Sequence, residues 1–197
     1  MPQVVESFKF PRRSYTPKTV PSIEDLRKFF DALENDRDRA FFLLAASSGL
    51  RRNELLNLTL DDLNLENRTI IPKNAHQNGS TKNSWISCFN AEALEVLRRF
   101  LENRPESVDK RLWQLGERSF RTAFNRANRK TGLHITPQVL RFWFANELSR
   151  LGVSDRFIDA LQGRTPRSIL ARHYSDFSME RLKEAYDKAG LILLNAR

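Results

Sequence analysis

Apolar residues recur at helical spacing through most of the chain. After Ser22, a residue type that caps helix N-termini, they form a stripe that predicts a first helix to residue 33. Gly49 and Gly190 are expected to end two of the later helices. The remaining helices are predicted over residues 37–48, 51–58, 90–101, 118–130, 137–151, 154–163, 165–175 and 178–189.

The spacing of apolar residues changes between the predicted helices 51–58 and 90–101. Residues 69–71 and 84–89 have the short apolar, β-branched and aromatic runs that are typical of strands. Asn78-Gly79 lies between them and is a strong turn signal. The sequence therefore predicts a mainly α fold with one small antiparallel β-hairpin.

Composition indicates a folded domain that meets a polyanion. The chain has 197 residues, 40% of them hydrophobic, which is enough for one packed domain. Its formal net charge is +9. Nucleic acid is the first candidate partner and an anionic membrane the second. A charge that serves only solubility is the remaining alternative.

The ends of the chain and its cysteine content suggest the domain plan and the setting. Four prolines and several basic residues predict a linker or tail over residues 1–21, followed by one domain over 22–197. Cys88 is the only cysteine, so an intramolecular disulfide is excluded, and its apolar neighbours predict a buried thiol. We expect an intracellular, cytoplasmic protein with no membrane-spanning segment.

The sequence lacks the common metal and nucleotide motifs. It contains no phosphate-binding glycine loop and no HExxH, and His76, His134 and His173 lack the spacing of a metal site. Asp61 and Asp62 suit a turn. We therefore expect no metal and no cofactor, which leaves arginine, lysine and tyrosine as the candidates for phosphate chemistry.

The segment 118–130 has one apolar and one polar face. Arginine and asparagine side chains contact both base edges and phosphates, so the polar face predicts a DNA-binding surface, and a merely solvated face is the alternative. The outward residues are Arg118, Arg121, Asn125, Asn128 and Arg129.

Three arginines stand in unusual surroundings. Arg51 follows a helix that is predicted to be buried, Arg141 lies in a strongly apolar helix, and Arg164 follows Gly163. Each could pair with a carboxylate such as Glu54 or Glu147, because an unpaired buried charge is costly. Three together in a basic chain favour a shared anion, since a guanidinium can hold two phosphate oxygens at once.

Three segments resemble the conserved boxes of the tyrosine recombinase and integrase family. SSGLRRNELLNLTLDDL (47–63) is similar to the first box, TPQVLRFWFANEL (136–148) to the second, and LQGRTPRSILARHYSDF (161–177) to the third. The boxes occur in the family's order, with a basic hairpin between the first two. The resemblance covers residues 22–190 and implies the catalytic-domain fold of DNA breaking-rejoining enzymes.

The resemblance implies a role for each matching residue. Tyr174 would form a 3′-phosphotyrosine, while Arg51, Arg141 and Arg164 would hold the phosphate. Lys73 in the hairpin would protonate the leaving oxygen, with Lys82 as the reserve choice and otherwise a DNA contact. Gln138 takes a histidine position and can hydrogen-bond. An ordinary half-buried tyrosine is the alternative for Tyr174, and Tyr186 is expected to be structural.

The resemblance also implies partners and a biological role. The expected partner is double-stranded DNA with a specific recombination site, bound by a homotetramer that is monomeric when free. Gln138 and Arg164 resemble the fusellovirus-like integrases of archaeal viruses and plasmids, which implies viral genome integration. Residues 178–197 would dock on a neighbouring protomer or on their own domain. Type IB topoisomerase activity and an inactive DNA-binding module are the alternatives.

Overall fold

The protein is mainly helical, as the sequence predicts. The computed structural model describes residues 19–72, 86–104, 110–114, 116–164 and 177–195. Most of the predicted tail therefore lies outside the described residues. The helices are α1 (Ile23–Asp31), α2 (Asp36–Ser48), α3 (Arg52–Leu56), α4 (Ala91–Glu102), α5 (Glu117–Thr131), α6 (Pro137–Arg150), α7 (Asp155–Leu161) and α8 (Met179–Ala189).

A small antiparallel sheet lies between α3 and α4 in the chain. Its strands are β1 (Leu63–Asn64), β2 (Thr69–Ile70) and β3 (Ser87–Cys88), in the order β1-β2-β3. The predicted pairing of the second and third strands is confirmed, with Thr69 opposite Cys88. The first strand was missed because it has two residues and directly follows a short 3-10 turn, so it shows no period of its own.

Helix α2 forms the centre of the core. The Asn35 side chain caps its first turn, and its residues from Ala40 to Ser48 are all buried. Helices α4 and α6 pack against it. Further aromatic rings fill the space beside α5, where Phe41 stacks on Phe120 with ring centroids 4.1 Å apart.

The C-terminal end of α2 connects three other parts of the fold. The carbonyl of Ser47 accepts a hydrogen bond from the Tyr186 hydroxyl at 2.8 Å, and that of Ser48 accepts one from the Ser87 hydroxyl at 2.6 Å. The carbonyl of Gly49 accepts one from Arg141. Burial raises the pKa of Tyr186 well above its usual value, so this tyrosine is structural, as predicted. The last helix, the sheet and α6 are thus joined at one point.

Gly49 adopts a conformation that other residues rarely tolerate. Its φ is +62°, and a Cβ at this position would lie 2.3 Å from Cδ1 of the buried Phe144 ring. We expect Gly49→Ala to lower the free energy of unfolding by about 2 to 4 kcal/mol, from backbone strain and overpacking together. Urea unfolding measures this.

Gly132→Ala is the matched control for that prediction. Gly132 ends α5 with a φ of +72°, but a Cβ there has no heavy atom within 4 Å. Gly132→Ala therefore reports the backbone strain alone, about 1 to 2 kcal/mol. Equal losses in the two variants would show that the contact with Phe144 costs nothing.

The C-terminal segment packs on its own domain, which is one of the two predicted alternatives. Leu191 and Leu193 are buried in the core. The Glu92 carboxylate accepts hydrogen bonds from the backbone N–H groups of Leu193, Leu194 and Asn195 at 2.7, 2.9 and 2.8 Å. Docking of this segment on a neighbouring protomer stays a prediction.

The predicted burial of Cys88 is confirmed. Its side chain has no exposed surface, and burial raises the pKa of the thiol to about 12. The thiol is therefore protonated at neutral pH, and Cys88 behaves as a small core residue.

Candidate active site

Arg51 stands at the start of α3, where its charge is partly balanced. Its Nη1 donates to Glu54 at 2.6 Å, and the other oxygen of that carboxylate accepts the Arg51 backbone N–H at 2.7 Å. Nη2 donates to the carbonyl of Gly163 at 3.1 Å, which connects α3 to the turn after α7. The predicted pairing of Arg51 with a carboxylate is thus confirmed, and its side chain is partly exposed.

Arg141 lies on the buried side of α6, and its side chain bonds main-chain carbonyls. Only 5% of the residue is exposed. Nη1 donates to Gly49 at 2.6 Å and Nη2 to Gln162 at 2.7 Å. The two carboxylates named as possible partners bond other arginines: Glu54 bonds Arg51, and Glu147 bonds Arg150. Among the described residues, the partners of Arg141 are carbonyls.

The charge of Arg141 is poorly compensated. Burial, together with the positive charges of Arg51 and Arg164, lowers the pKa of its guanidinium to about 10, against the raising effect of Glu54 and Asp159. The group is still protonated at neutral pH. An anion placed here would restore the lost solvation and relieve the repulsion, so the arrangement favours anion binding.

Arg164 contributes from the edge of this site. Its side chain is 49% exposed and donates to Asp159 at 3.0 Å. Its backbone N–H bonds the Asp159 carbonyl, and Gly163 before it has a φ of +60°, which turns the chain sharply after α7. The three predicted arginines therefore lie close enough together that the charges of Arg51 and Arg164 both act on Arg141.

A groove of about 610 Å³ extends from Arg51 along α5 and the start of α6. Predicted site residues Gln138, Arg121 and Asn125 line it, above a floor that includes Phe120 and Phe124. Arg52 and Glu117 also line it and form an ion pair at 3.0 Å. A basic rim beside the arginine site is the geometry expected of a surface that follows a DNA backbone.

The other predicted DNA-binding residues of α5 do not share this groove. Arg118 lines a separate cavity of about 550 Å³ with Arg37 and Arg126. Arg129 is exposed near the end of the helix. Asn128 was expected to point outward, but it is half-buried and bonds both backbone groups of Ile135, at 2.9 and 2.7 Å. It holds the loop between α5 and α6.

Three predicted site residues lie outside the described residues. They are Tyr174, Lys73 and Lys82. Their roles, and the choice between the two lysines, stay predictions.

Sequence reasoning missed Gln162 and Arg52. Gln162 is fully buried between Leu161 and Gly163 and contacts Arg141 through both its main chain and its side chain. A glutamine within an apolar stretch was the signal that could have found it. Arg52 was passed over because it adjoins Arg51, which carries the family match.

The described residues hold neither a metal-binding cluster nor a membrane-spanning helix. No group of three or more histidine, cysteine, aspartate or glutamate residues in these ranges is placed to hold a metal ion. Within the same ranges, no helix has the length and apolar character needed to cross a membrane.

Comparison with known sequences adds to this geometry. Residues 22–181 match the phage integrase family. The chain is 29% identical over 187 residues to tyrosine recombinase XerA of Pyrococcus horikoshii, covering 89% of this chain and 64% of that protein. It is 32% identical over 163 residues to tyrosine recombinase XerC of Leptospira interrogans, covering 78% of this chain and 50% of that protein.

Solved structures share the fold. A crystal structure of XerA recombinase superposes with a TM-score of 0.67 at 23% identity, covering 91% of this chain and 66% of that one. XerH site-specific recombinase bound to its difH substrate gives a TM-score of 0.60 at 22% identity, covering 91% of this chain and 57% of that one. The chain thus spans between half and two thirds of the length of these relatives.

Proposed function

The chain belongs to the phage integrase family, and from this we propose that it is the catalytic domain of a site-specific tyrosine recombinase, spanning residues 22–197. It would cut a strand of duplex DNA and rejoin it to another strand without metal or ATP. The observation that carries the proposal is that Arg51 and Arg164 lie close enough to act on the buried guanidinium of Arg141, whose charge is only partly compensated. A scissile phosphate is the anion that this site would take.

The proposed reaction begins at Tyr174. Its phenol oxygen forms a new bond to the phosphorus while the bond from the phosphorus to the 5′ oxygen breaks. The phosphate stays on the 3′ oxygen, so the product is a 3′-phosphotyrosine. Lys73, with Lys82 as the reserve, gives a proton to the leaving 5′ oxygen. Attack by another 5′-hydroxyl reverses these steps, so no energy source is consumed.

The arginines would stabilise the charge that develops on the phosphoryl oxygens. Arg141 is fixed by two carbonyls before DNA arrives, so little reorganisation is needed when the transition state forms. Gln138 lines the adjoining groove and can hydrogen-bond, but it cannot act as a base. The Tyr174 proton would leave to water, helped by the positive potential of the arginines.

The groove beside Arg51 would hold the DNA that flanks the cleaved phosphate. Arg121 and Asn125 line it from α5, and Arg118 and Arg129 would contact DNA farther along the same helix. Lys82 would add a contact from the hairpin. These basic groups make binding weaken as salt concentration rises.

Assembly and origin are further parts of the proposal. The chain would be a monomer when free and a homotetramer on two DNA duplexes, in the cytoplasm. Docking of residues 191–195 on a neighbour would require their release from Glu92 and Arg27, which bond them within the chain. Gln138 and Arg164 at histidine positions support an origin in an archaeal virus or plasmid, where the role would be genome integration.

Covalent capture tests the proposed function and finds the target site together. The chain is incubated with a pool of nicked duplexes of randomised sequence, and adducts that survive denaturation are sequenced. We expect an enriched motif, a blocked 3′ end and a free 5′-hydroxyl. Two copies of that motif on one plasmid should then recombine.

The outcomes of this experiment separate the alternatives. Supercoil relaxation without recombination between two sites would indicate a type IB topoisomerase. DNA binding with no adduct from any duplex would indicate an inactive DNA-binding module and would overturn the proposal.

A further inference from the structure

Gln162 is a polar residue in apolar surroundings. It ends α7, has no exposed surface, and stands between Leu161 and Gly163, both of which are also buried. Buried amides normally form hydrogen bonds with all of their polar atoms. The hydrogen-bond partners of the Gln162 amide should therefore explain why a polar side chain is found at this buried position.

Gln162 contacts Arg141 at both ends of that residue. Its main-chain carbonyl accepts the Arg141 Nη2 at 2.7 Å, and its side-chain Nε2 donates to the Arg141 backbone carbonyl at 2.8 Å. One contact orients the guanidinium, and the other sets the distance between the α6 backbone and the end of α7. The next residue, Gly163, accepts from Arg51. The spacing of the two arginines thus depends on this turn.

The remaining polar atom of the amide is its oxygen, Oε1. Oε1 of Gln162 is buried and has no hydrogen-bond partner among the described residues. An unsatisfied buried acceptor destabilises a fold, so an apolar side chain of similar size would suit this position better for stability alone. The Gln162 amide thus lowers the stability of the fold locally but bonds Arg141 directly. Residues that reduce stability in this way are often found at functional sites.

We propose that Gln162 is a positioning residue for the cleavage reaction. Its Nε2 contact holds the turn of α6 that carries Arg141, so that the guanidinium meets the phosphate in the geometry of the transition state. This inference rests on the proposed function, since it assigns Arg141 to the scissile phosphate. Gln162 itself acts only through Arg141.

The test is Gln162→Leu, which removes the side-chain contact and leaves the main-chain carbonyl. We expect single-turnover cleavage of a nicked duplex to slow by about 10- to 100-fold, the effect of a small displacement of a reacting group. The dissociation constant for DNA should not change. The melting temperature should stay the same or rise, because the unsatisfied oxygen is removed.

A control variant loses a similar bond outside the site. Thr131→Val removes the buried hydrogen bond from the Thr131 hydroxyl to the Ala127 carbonyl, 2.8 Å long. It should lower the melting temperature and leave the cleavage rate unchanged. If Gln162→Leu behaves like Thr131→Val, or cleaves at the wild-type rate, the positioning role is overturned.

A measurement without DNA separates this inference from the proposed function. The Arg141 Nε–H signal, followed by NMR in the free protein, should exchange faster and shift in Gln162→Leu and in Gln162→Met, which also lacks the donor. An unchanged signal would overturn the inference even if the wild type cleaves DNA. A wild type that forms no adduct would overturn the proposed function, and the NMR result would still decide whether Gln162 holds Arg141.

Discussion

Replacing Arg141 with lysine should slow DNA cleavage by about 100-fold or more while DNA binding is largely retained. A guanidinium has five N–H donors, and two of those of Arg141 are used on the carbonyls of Gly49 and Gln162. No partner for the other donors lies among the described residues, so they would be left for phosphate oxygens. A lysine keeps the charge, but its single ammonium group cannot hold both carbonyls and a phosphate in a fixed plane. Single-turnover cleavage of a nicked duplex measures the loss.

Arg150→Lys is the matched control for this prediction. Arg150 lies on the same helix, is exposed, and pairs with Glu147 at 2.6 Å. Its replacement should leave the cleavage rate unchanged. If Arg141→Lys instead abolished binding and slowed cleavage only in proportion, Arg141 would be a binding residue and its catalytic role would be wrong.

The elements of the fold were predictable from sequence because their signals are local. The cap at Asn35 and the left-handed Gly49 bound α2, and the two faces of α5 follow from the spacing of its apolar residues. The two-residue strand β1 has no such signal, and it exists because β2 pairs with it. Its formation depends on tertiary structure, which periodicity does not show.

The contacts within the site were less predictable because they join distant parts of the chain. The boxes identified Arg141, but its partners Gly49 and Gln162 are 92 and 21 residues away and bond it through main-chain carbonyls. Every residue has a main-chain carbonyl, so residue type does not show which one accepts a bond. The sequence therefore suggested carboxylates as the partners. It succeeded for Arg51, whose partner Glu54 lies one helical turn away.

Replacing Tyr174 with phenylalanine should abolish the covalent adduct with DNA. Phenylalanine lacks the oxygen that would bond to phosphorus, so cleavage should fall by about 10⁴-fold or more, as when other enzymes lose their nucleophile. DNA binding should be retained, because the arginines and the groove beside them would still supply the contacts to phosphate. Adduct formation on a nicked duplex and a parallel binding titration measure the two effects.

Tyr186 provides the control for Tyr174. Its hydroxyl is buried, donates to the Ser47 carbonyl, and has a pKa raised by burial, so it cannot reach a DNA phosphate. Tyr186→Phe should lower the free energy of unfolding by about 1 kcal/mol through the lost hydrogen bond. It should still form the adduct.

The most direct test compares the wild type, Tyr174→Phe and Tyr186→Phe on one nicked duplex that carries the captured target site. The products are separated on a denaturing gel, where a covalent protein–DNA complex migrates as a distinct band. We predict this band for the wild type and for Tyr186→Phe, and its absence for Tyr174→Phe. A band that persists in Tyr174→Phe would contradict the assignment of Tyr174 as the nucleophile.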